Sequence, residues 1–249
     1  MERRLDKVVI VTGGAQGIGE ATAWTLASDG ATIVVADIER EKAENVADAL
    51  RSAGHQALAI RLDVADRDSA HAMARRVIDT FGSIDALVNN GGLDAQYGRA
   101  EEINEEHWRR LIDIDLTGQW WCTQAVLPKM LEQRYGRIVY VSSSSVYVGG
   151  DQVSPAYCAA KSGLIGLTVG LSAQLEGQGI LVNCLMPGPT GNTGTPMKPE
   201  DVEPYLSTHP LGFGGPQPIA ESVAYLLHRS GDWISGAILN VSGGRLRGR

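Results

Sequence analysis

Cysteine is scarce in this chain of 249 residues, and its three cysteines show no metal-ligand spacing. Cys122, Cys158 and Cys184 are an odd number, and none of them belongs to a CxxC pair. Because secreted disulfide-stapled domains are dense in cysteine, the sequence argues against that class and favours a reducing compartment. The five histidines form neither an HxH nor an HExxH pattern, so we expect no metal site.

Long apolar runs and an excess of basic residues are also lacking. No stretch approaches the roughly 18 apolar residues of a membrane span, and the run Val8–Val11 is too short for a signal peptide. Acidic residues outnumber basic ones, 29 to 22, which gives a formal net charge of −7. Because nucleic acids and anionic membranes select basic surfaces, we expect neither as a partner, and we expect a cytoplasmic protein.

Short β-branched runs alternate along the chain with longer amphipathic segments. Runs such as VVIVT and RIVYV are apolar almost throughout, as in strands buried on both faces of a parallel sheet. This alternation predicts an α/β protein with one doubly wound parallel sheet, Rossmann-like, of about seven strands with helices on both faces. The predicted strands are 7–12, 32–36, 57–62, 86–89, 137–142, 181–186 and 237–241, and the predicted helices are 19–28, 39–53, 68–81, 105–133, 157–176 and 219–229.

A segment rich in proline and glycine interrupts this alternation near the C-terminal end. Eight of the ten prolines lie between Pro187 and Pro218. A connection this long inside a compact domain is usually functional, and this one leaves the carboxyl end of a strand, where α/β sheets bind ligands. We therefore predict that residues 188–216 form a substrate lid, the alternative being a surface excursion without a role. Without a linker or a repeat, the sequence predicts a single domain over residues 1–249.

The first predicted strand leads directly into a glycine-rich turn, TGGAQGIG, at residues 12–19. Small residues there let backbone N–H groups and a helix N-terminus approach a pyrophosphate. Asp37 closes the second strand about 20 residues further on, where a carboxylate binds ribose hydroxyls and repels a 2′-phosphate. The alternative is that Asp37 only caps a helix. Since no basic residue stands beside Asp37 before Arg40, the pattern favours NAD over NADP.

Further motifs resemble those of the short-chain dehydrogenase/reductase family over nearly the whole chain, and the family's glycine turn has the same TGxxxGxG spacing. They are the pair Asp63-Val64, the turn Asn89-Asn90-Gly91-Gly92 (Asn-Asn-Ala-Gly in the family), the YxxxK motif from Tyr157 to Lys161 and the dipeptide Pro187-Gly188. The resemblance implies a nicotinamide-dependent enzyme acting on a small-molecule alcohol or ketone, and a homo-oligomer, usually a tetramer. The implied cofactor-binding residues are Gly13, Gln16, Gly17, Ile18, Gly19, Asp37, Ile38, Asp63, Val64, Asn90, Gly91, Tyr157, Lys161, Pro187, Gly188 and Thr190.

Tyr157 and Lys161 are four residues apart, so on a helix they lie on the same face, one turn from each other. A phenol has a pKa of ~10 in isolation, which is high for an acid or base at neutral pH. A neighbouring ammonium favours the phenolate and lowers that pKa. We therefore predict that Tyr157 is the general acid and base of the reaction, and that Lys161 lowers its pKa.

The resemblance also implies a serine at the end of the fifth predicted strand, where it holds the substrate oxygen. The strand ends in four consecutive serines, 142–145. Counting along the strand from Arg137 points to Ser143, whereas the family's usual spacing of 13 residues before Tyr157 points to Ser144. We prefer Ser143, because side-chain direction alternates along a strand while loops absorb insertions.

Asp115 departs from the family pattern, which has an asparagine in an Asn-Leu-Thr-Gly motif where this chain has Asp115-Leu116-Thr117-Gly118. An asparagine amide both donates and accepts, whereas an ionised aspartate only accepts. In the family this residue supports a helix irregularity whose water links the lysine to solvent, and an aspartate there tends to raise the tyrosine's pKa. Asp115 is therefore either a tolerated catalytic member or the mark of a catalytically weak nucleotide-binding protein.

The substrate is left open by the sequence. Both CoA-linked alicyclic acid dehydrogenases and 3-oxoacyl reductases look similar in the glycine turn, so an NADP-dependent 3-oxoacyl-type ketoreductase is an alternative function. The candidate pocket residues, by position alone, are Leu93, Asp94, Tyr97, Gln152 and Met197. The basic tail 245–249 is interpreted as a solvated end.

Overall fold

The apolar runs form seven parallel strands in a computed structural model that describes residues 5–94, 98–150, 153–191, 199–207 and 211–247. The strands are β1 (Val8–Thr12), β2 (Thr32–Asp37), β3 (Ala57–Arg61), β4 (Ala86–Asn89), β5 (Gly136–Val141), β6 (Ile180–Pro187) and β7 (Ile238–Val241). They make one sheet in the order β3-β2-β1-β4-β5-β6-β7, and each neighbouring pair is parallel. With helices on both faces, the predicted fold class is confirmed.

Helices follow the strands and cover both faces of the sheet. They are α1 (Gly17–Ser28), α2 (Arg40–Ser52), α3 (Arg67–Phe81), α4 (Glu105–Ile112), α5 (Gly118–Gln133), α6 (Ser145–Val148), α7 (Pro155–Leu175), α8 (Pro199–Ser207) and α9 (Gln217–Leu227). One apolar cluster joins α1, α2 and α9 to one face, and a second joins α3, α5 and α7 to the other. Strands buried on both sides explain why the runs lack alternating polar residues.

The strand order reverses between β1 and β4, since the chain proceeds from β1 outwards to β3 and then returns to β4. In such a sheet the connections that leave the two central strands diverge, and a crevice opens outside their carboxyl ends. The glycine-rich turn follows β1, and the Asn89-Asn90-Gly91-Gly92 turn follows β4. The fold therefore brings these two motifs to the same edge of the sheet.

The prediction of one continuous helix over 105–133 was wrong, because the helix is interrupted. A π-helical turn, Asp113–Thr117, separates α4 from α5. The turn contains Asp115, whose buried carboxylate accepts a hydrogen bond from the Leu93 backbone at 2.8 Å. An inserted turn of this kind is frequent at functional sites, because it re-aims side chains without ending the helix.

Two short helices lie where only loops are predicted from the sequence. α6 follows the serines after β5, and α8 lies within the proline-rich segment 188–216. In addition, β3 ends at Arg61, so the pair Asp63-Val64 lies just beyond the strand and not at its last residues. Within the described ranges, no helix is both long enough and apolar enough to cross a membrane.

Candidate active site

A cleft of about 950 Å³ crosses the carboxyl edge of the sheet and brings most of the predicted site residues together. Those that line it are Gly13, Gln16, Gly17, Ile18, Asp37, Ile38, Asp63, Val64, Asn90, Gly91, Ser143, Tyr157, Lys161, Pro187, Gly188 and Thr190. Gly19, Asp115 and Ser144 lie behind its wall. In the described part of the chain, no group of three or more His, Cys, Asp or Glu side chains is placed to hold a metal ion.

The glycine-rich turn is held in a shape that only small residues allow. Gly13 and Gly17 have positive φ angles of 61° and 56°, in the left-handed region that favours glycine. A Cβ on Gly19 would overlap the Gly13 carbonyl, so this glycine permits close packing of α1 rather than contact with a ligand. The Asn90 side-chain amide donates to the carbonyls of Thr12 and Gly13, both at 3.1 Å, and so ties the turn to the β4 loop.

The N-terminus of α1 follows this turn and begins at Gly17, a residue that lines the cleft. Unpaired backbone N–H groups and the helix dipole make such a terminus a binding site for phosphate. The small residues of the turn allow a pyrophosphate to approach the protein backbone closely, and the helix N-terminus attracts the negative charge of that pyrophosphate. These residues therefore fit the pyrophosphate of a dinucleotide.

Asp37 ends β2 with its carboxylate fixed by two backbone groups. Oδ2 accepts from the Ala15 N–H and Oδ1 accepts from the Glu39 N–H, each at 3.0 Å. The Glu39 bond is a local turn before α2, whose N-cap residue is Glu39 and not Asp37, whereas the Ala15 bond links the carboxylate to the glycine turn. Each oxygen retains capacity for a second bond, so the carboxylate fits two ribose hydroxyls. Lys42 also lines this end of the cleft, 3.8 Å from the Glu39 carboxylate.

Tyr157 and Lys161 project from α7 into the buried floor of the cleft. The Lys161 ammonium lies 5.8 Å from the centre of the Tyr157 ring and donates to the Val141 carbonyl at 3.3 Å. The Ser142 hydroxyl donates to the Lys161 carbonyl at 2.8 Å, which fixes α7 against the end of β5. The helix register and this anchor together hold both side chains in place, one turn apart.

Burial raises the pKa of the Tyr157 phenol, since a phenolate is poorly solvated there. The Lys161 charge and the Ser143 hydroxyl act in the opposite direction and lower that pKa. The charges of Asp115 and Asp94 raise it further. Burial outweighs the two lowering influences, so the pKa of Tyr157 lies above its ordinary value.

The serines after β5 point in different directions. Ser143 lines the cleft and interacts with the Tyr157 phenol, and its Oγ accepts from the Ser145 N–H at 3.1 Å. Ser144 is fully buried, and its hydroxyl faces the Arg245 guanidinium at 3.4 Å. The structure therefore brings Ser143, and not Ser144, beside the tyrosine.

Asp115 lies beneath the cleft floor, fully buried and 3.6 Å from the Lys161 ammonium. Burial raises the pKa of Asp115, while the Lys161 charge and the Leu93 N–H bond lower it. Oδ2 has no hydrogen-bond partner among the described residues. A Cβ on Gly92 would overlap Oδ1, so the glycine that ends the β4 motif is required by this carboxylate. The pair places a carboxylate in direct contact with the lysine of the YxxxK motif.

The substrate end of the cleft has apolar and charged walls. Leu93 and Asp94 line the cleft as predicted, whereas Tyr97, Gln152 and Met197 lie outside the described residues. Residues that the sequence did not single out also line it: Arg110, Ile114, Val202, Phe213 and Arg245. The interpretation of the basic tail as a solvated end was wrong for Arg245, because the loop after β7 turns this residue back towards the serines. Nothing in the sequence predicted that Arg245 would contact the serines that follow β5.

Comparison with known proteins agrees with this geometry. A family model described as short chain dehydrogenase matches residues 7–204. The chain is 40% identical over 241 residues to cis-4-hydroxycyclohexanecarboxylate dehydrogenase of Sinomonas cyclohexanicum, covering 96% of each protein. It is 36% identical over 242 residues to 3-oxoacyl-[acyl-carrier-protein] reductase FabG of Thermotoga maritima, covering 96% of this chain and 97% of that protein.

A solved structure of 7 alpha-hydroxysteroid dehydrogenase, complexed with NADH and 7-oxo glycochenodeoxycholic acid, has the same fold. It superposes with a TM-score of 0.91 at 30% sequence identity, over 99% of this chain and 97% of that one. The names of the three proteins denote chemically different substrates, so these comparisons show the family and not the substrate of this chain.

Proposed function

The chain belongs to the short-chain dehydrogenase/reductase family, and on that premise we propose that it transfers a hydride between NAD(H) and a secondary alcohol or ketone. The observation that carries this proposal is the cluster of Tyr157, Lys161 and Ser143 at the floor of a cleft whose other end is the glycine turn. A proton-transferring phenol and a phosphate-binding turn in one cleft are what this reaction requires.

Tyr157 moves the proton. In the oxidation direction its phenolate takes the proton of the substrate hydroxyl, and in the reduction direction its phenol returns one to the carbonyl oxygen. Lys161 stabilises the phenolate through its positive charge, and Ser143 orients the substrate oxygen by a hydrogen bond. The cofactor, when bound, accepts or supplies the hydride at its nicotinamide C4.

The cofactor is proposed to be NAD. The glycine turn and Asn90 would hold the pyrophosphate, Asp37 the adenosine ribose, and Asp63 with Val64 the adenine, while Pro187, Gly188 and Thr190 would border the nicotinamide. Two carboxylates, Asp37 and Glu39, line the ribose end of the cleft together with one ammonium, Lys42, which lies 3.8 Å from the Glu39 carboxylate. A 2′-phosphate would meet this net negative charge, which supports NAD over NADP.

Two alternatives each rest on a specific observation. The 36% identity to an acyl-carrier-protein reductase, with Lys42 beside the ribose position, favours an NADP-dependent 3-oxoacyl-type ketoreductase. The Asp115 carboxylate, which raises the pKa of Tyr157, favours a nucleotide-binding protein with slow catalysis. Both keep the fold and the cleft and differ in cofactor or in rate.

A substrate panel with both cofactors tests the proposal. Cyclic and open-chain secondary alcohols, the matching ketones, and a 3-oxoacyl thioester are each supplied with the NAD or NADP couple, and the reduced nicotinamide is followed by absorbance. We expect turnover of a secondary alcohol or ketone with NAD(H). Faster reduction of the thioester with NADPH would favour the first alternative, and no turnover of any compound would favour the second.

A further inference from the structure

Arg245 enters the substrate end of the cleft from the loop that follows β7. Its Nη1 donates to the hydroxyls of Ser144 and Ser145, at 3.4 and 3.5 Å, and its Nη2 donates to the Gly149 carbonyl at 3.5 Å. Arg245 and Ser145 both line the cleft, while Ser144 is buried behind it. The guanidinium is therefore positioned by the chain and still accessible from the cleft.

The contacts of Arg245 are long and involve only neutral oxygens. Within the described ranges, no carboxylate lies within 4.0 Å of its guanidinium, in contrast to buried Arg137, whose Nη2 is 2.7 Å from Asp232 Oδ1. A guanidinium has five N–H donors arranged to match a carboxylate, and its pairing is strongest with a charged acceptor. The three contacts orient the guanidinium and leave capacity for an anion from the cleft.

We propose that Arg245, with the Ser145 hydroxyl, binds a carboxylate carried by the substrate, so that the enzyme acts on an anionic hydroxy or keto acid. The inference rests on the proposed function, because it assigns the substrate class of the same site. Ser145 links the two groups, because its N–H donates to Ser143 Oγ at 3.1 Å and its hydroxyl accepts from Arg245 Nη1 at 3.5 Å. A small hydroxy or keto acid would reach Arg245 with its carboxylate and Ser143 with its reacting oxygen.

The charges around the cleft favour this wall over the opposite one. Arg110 also lines the substrate end, but there Asp94 adds a negative charge that reaches Tyr157 and raises its pKa. On the Arg245 side the guanidinium adds a positive charge, which opposes the rise that burial causes in the pKa of Cys158, the residue after Tyr157. An anion is therefore attracted to the Arg245 side.

A carboxylate is favoured over the phosphates of a thioester carrier. Ser145 contacts both the Arg245 guanidinium and Ser143, whereas the phosphates of coenzyme A lie a full pantetheine arm away from the acyl group. A small acid reaches both positions at once. The carrier instead would place its phosphates outside the reach of Arg245.

Binding to the NADH-saturated protein tests this assignment without requiring turnover. Cyclohexanecarboxylate is titrated by calorimetry against its neutral isostere cyclohexanecarboxamide, with coenzyme A as a third probe. The wild type is expected to bind the acid more tightly than the amide. Arg245→Gln is expected to weaken acid binding by about 10- to 100-fold, the range for losing a charged hydrogen bond. Arg245→Lys, which keeps the charge and loses the fork, is expected to lie between them.

Arg247→Gln is the matched control, because it removes the same charge from an exposed position two residues further along, outside the cleft. It is expected to keep the wild-type preference for the acid. Equal binding of acid and amide by the wild type, no binding of either, or an Arg245→Gln loss confined to coenzyme A would overturn the assignment. A preserved acid preference without turnover of any alcohol or ketone would instead contradict the proposed function alone.

Discussion

At the scale of single residues, the reactivity of Tyr157 depends on opposing charges within the buried floor of the cleft. Lys161 lowers its pKa and Asp115 raises it, although the two are in contact with each other. Burial lowers the pKa of Lys161, but the charges of Asp115 and Tyr157 outweigh it and hold that pKa above its ordinary value. Asp115 therefore keeps the lysine charged and simultaneously opposes the phenolate.

Asp115→Asn is expected to shift the pH profile of alcohol oxidation. Oxidation needs the phenolate, so its rate rises with pH through the pKa of Tyr157. Removing the Asp115 charge lowers that pKa, and the rising limb of kcat should move to lower pH. Asp113→Asn is the control, because Asp113 is an exposed residue of the same π-helical turn. A limb that stays in place or moves to higher pH contradicts this account of Asp115.

Asp37→Ser is expected to reverse or reduce the preference between the two cofactors. Loss of the carboxylate removes the acceptor for the ribose hydroxyls and the repulsion of a 2′-phosphate. The ratio of the NADH and NADPH dissociation constants should change by about 10- to 100-fold in favour of NADPH. Fluorescence titration measures both constants, with Glu41→Gln, an exposed change on α2, as the control. Tighter binding of NADPH by the wild type would refute the role given to Asp37.

At the scale of elements, apolar periodicity could not predict the π-helical turn, and only the family resemblance implied a helix irregularity at Asp115. The spacing of apolar residues is helical throughout 105–133, so it predicts a single helix. The interruption depends on contacts with the β4 loop: Asp115 binds the Leu93 N–H, and the Gln119 amide donates to the carbonyls of Gly91 and Ile114. The β4 loop is distant from these residues in sequence, so the local sequence pattern does not predict the contacts.

The nucleotide end of the cleft was predictable for the opposite reason. The Gly13, Gly17 and Gly19 spacing encodes backbone angles and close approaches that are local to one turn. Arg245 was not predictable, because its position depends on where β7 ends and on how the serines after β5 turn. Features that depend on neighbouring residues in the sequence could thus be predicted, whereas contacts that depend on tertiary packing could not.

Gly19→Ala is expected to damage the turn between β1 and α1. The new Cβ would overlap the Gly13 carbonyl, which is backbone and can move only with the turn itself. We expect a loss of stability of about 1–3 kcal/mol, typical of overpacking, together with weaker NADH binding. Gly177→Ala is the control, since a Cβ there meets open space. Thermal unfolding and cofactor titration measure the two effects, and unchanged NADH binding by Gly19→Ala would contradict the role of this turn.

At the scale of the whole molecule, several large apolar side chains face solvent in the single chain. Trp233 is 98% exposed and Val169, on α7, is 56% exposed. Such side chains are available for subunit contacts, and the family resemblance implies a homotetramer. We therefore expect sedimentation to give four times the monomer mass, and Trp233→Ser to weaken the assembly. A monomer at micromolar concentration would contradict this expectation.

The segment 188–216 remains predicted to be a lid. Within this segment, Val202 of α8 and Phe213 of the loop before α9 line the cleft wall. Both side chains line the same cleft as Tyr157. Closure over a bound acid would exclude water from the proton transfer at Tyr157.

The central claim is that Tyr157 transfers a proton in a cleft that binds a nicotinamide dinucleotide, and Tyr157→Phe tests it most directly. The substitution removes one hydroxyl and keeps the ring. Turnover of the best substrate of the panel is measured in parallel with NADH binding, which reports that the cleft is intact. We predict that turnover falls by about 10²- to 10⁴-fold, the contribution of general acid–base catalysis, while NADH still binds. Undiminished turnover in this variant would contradict the account.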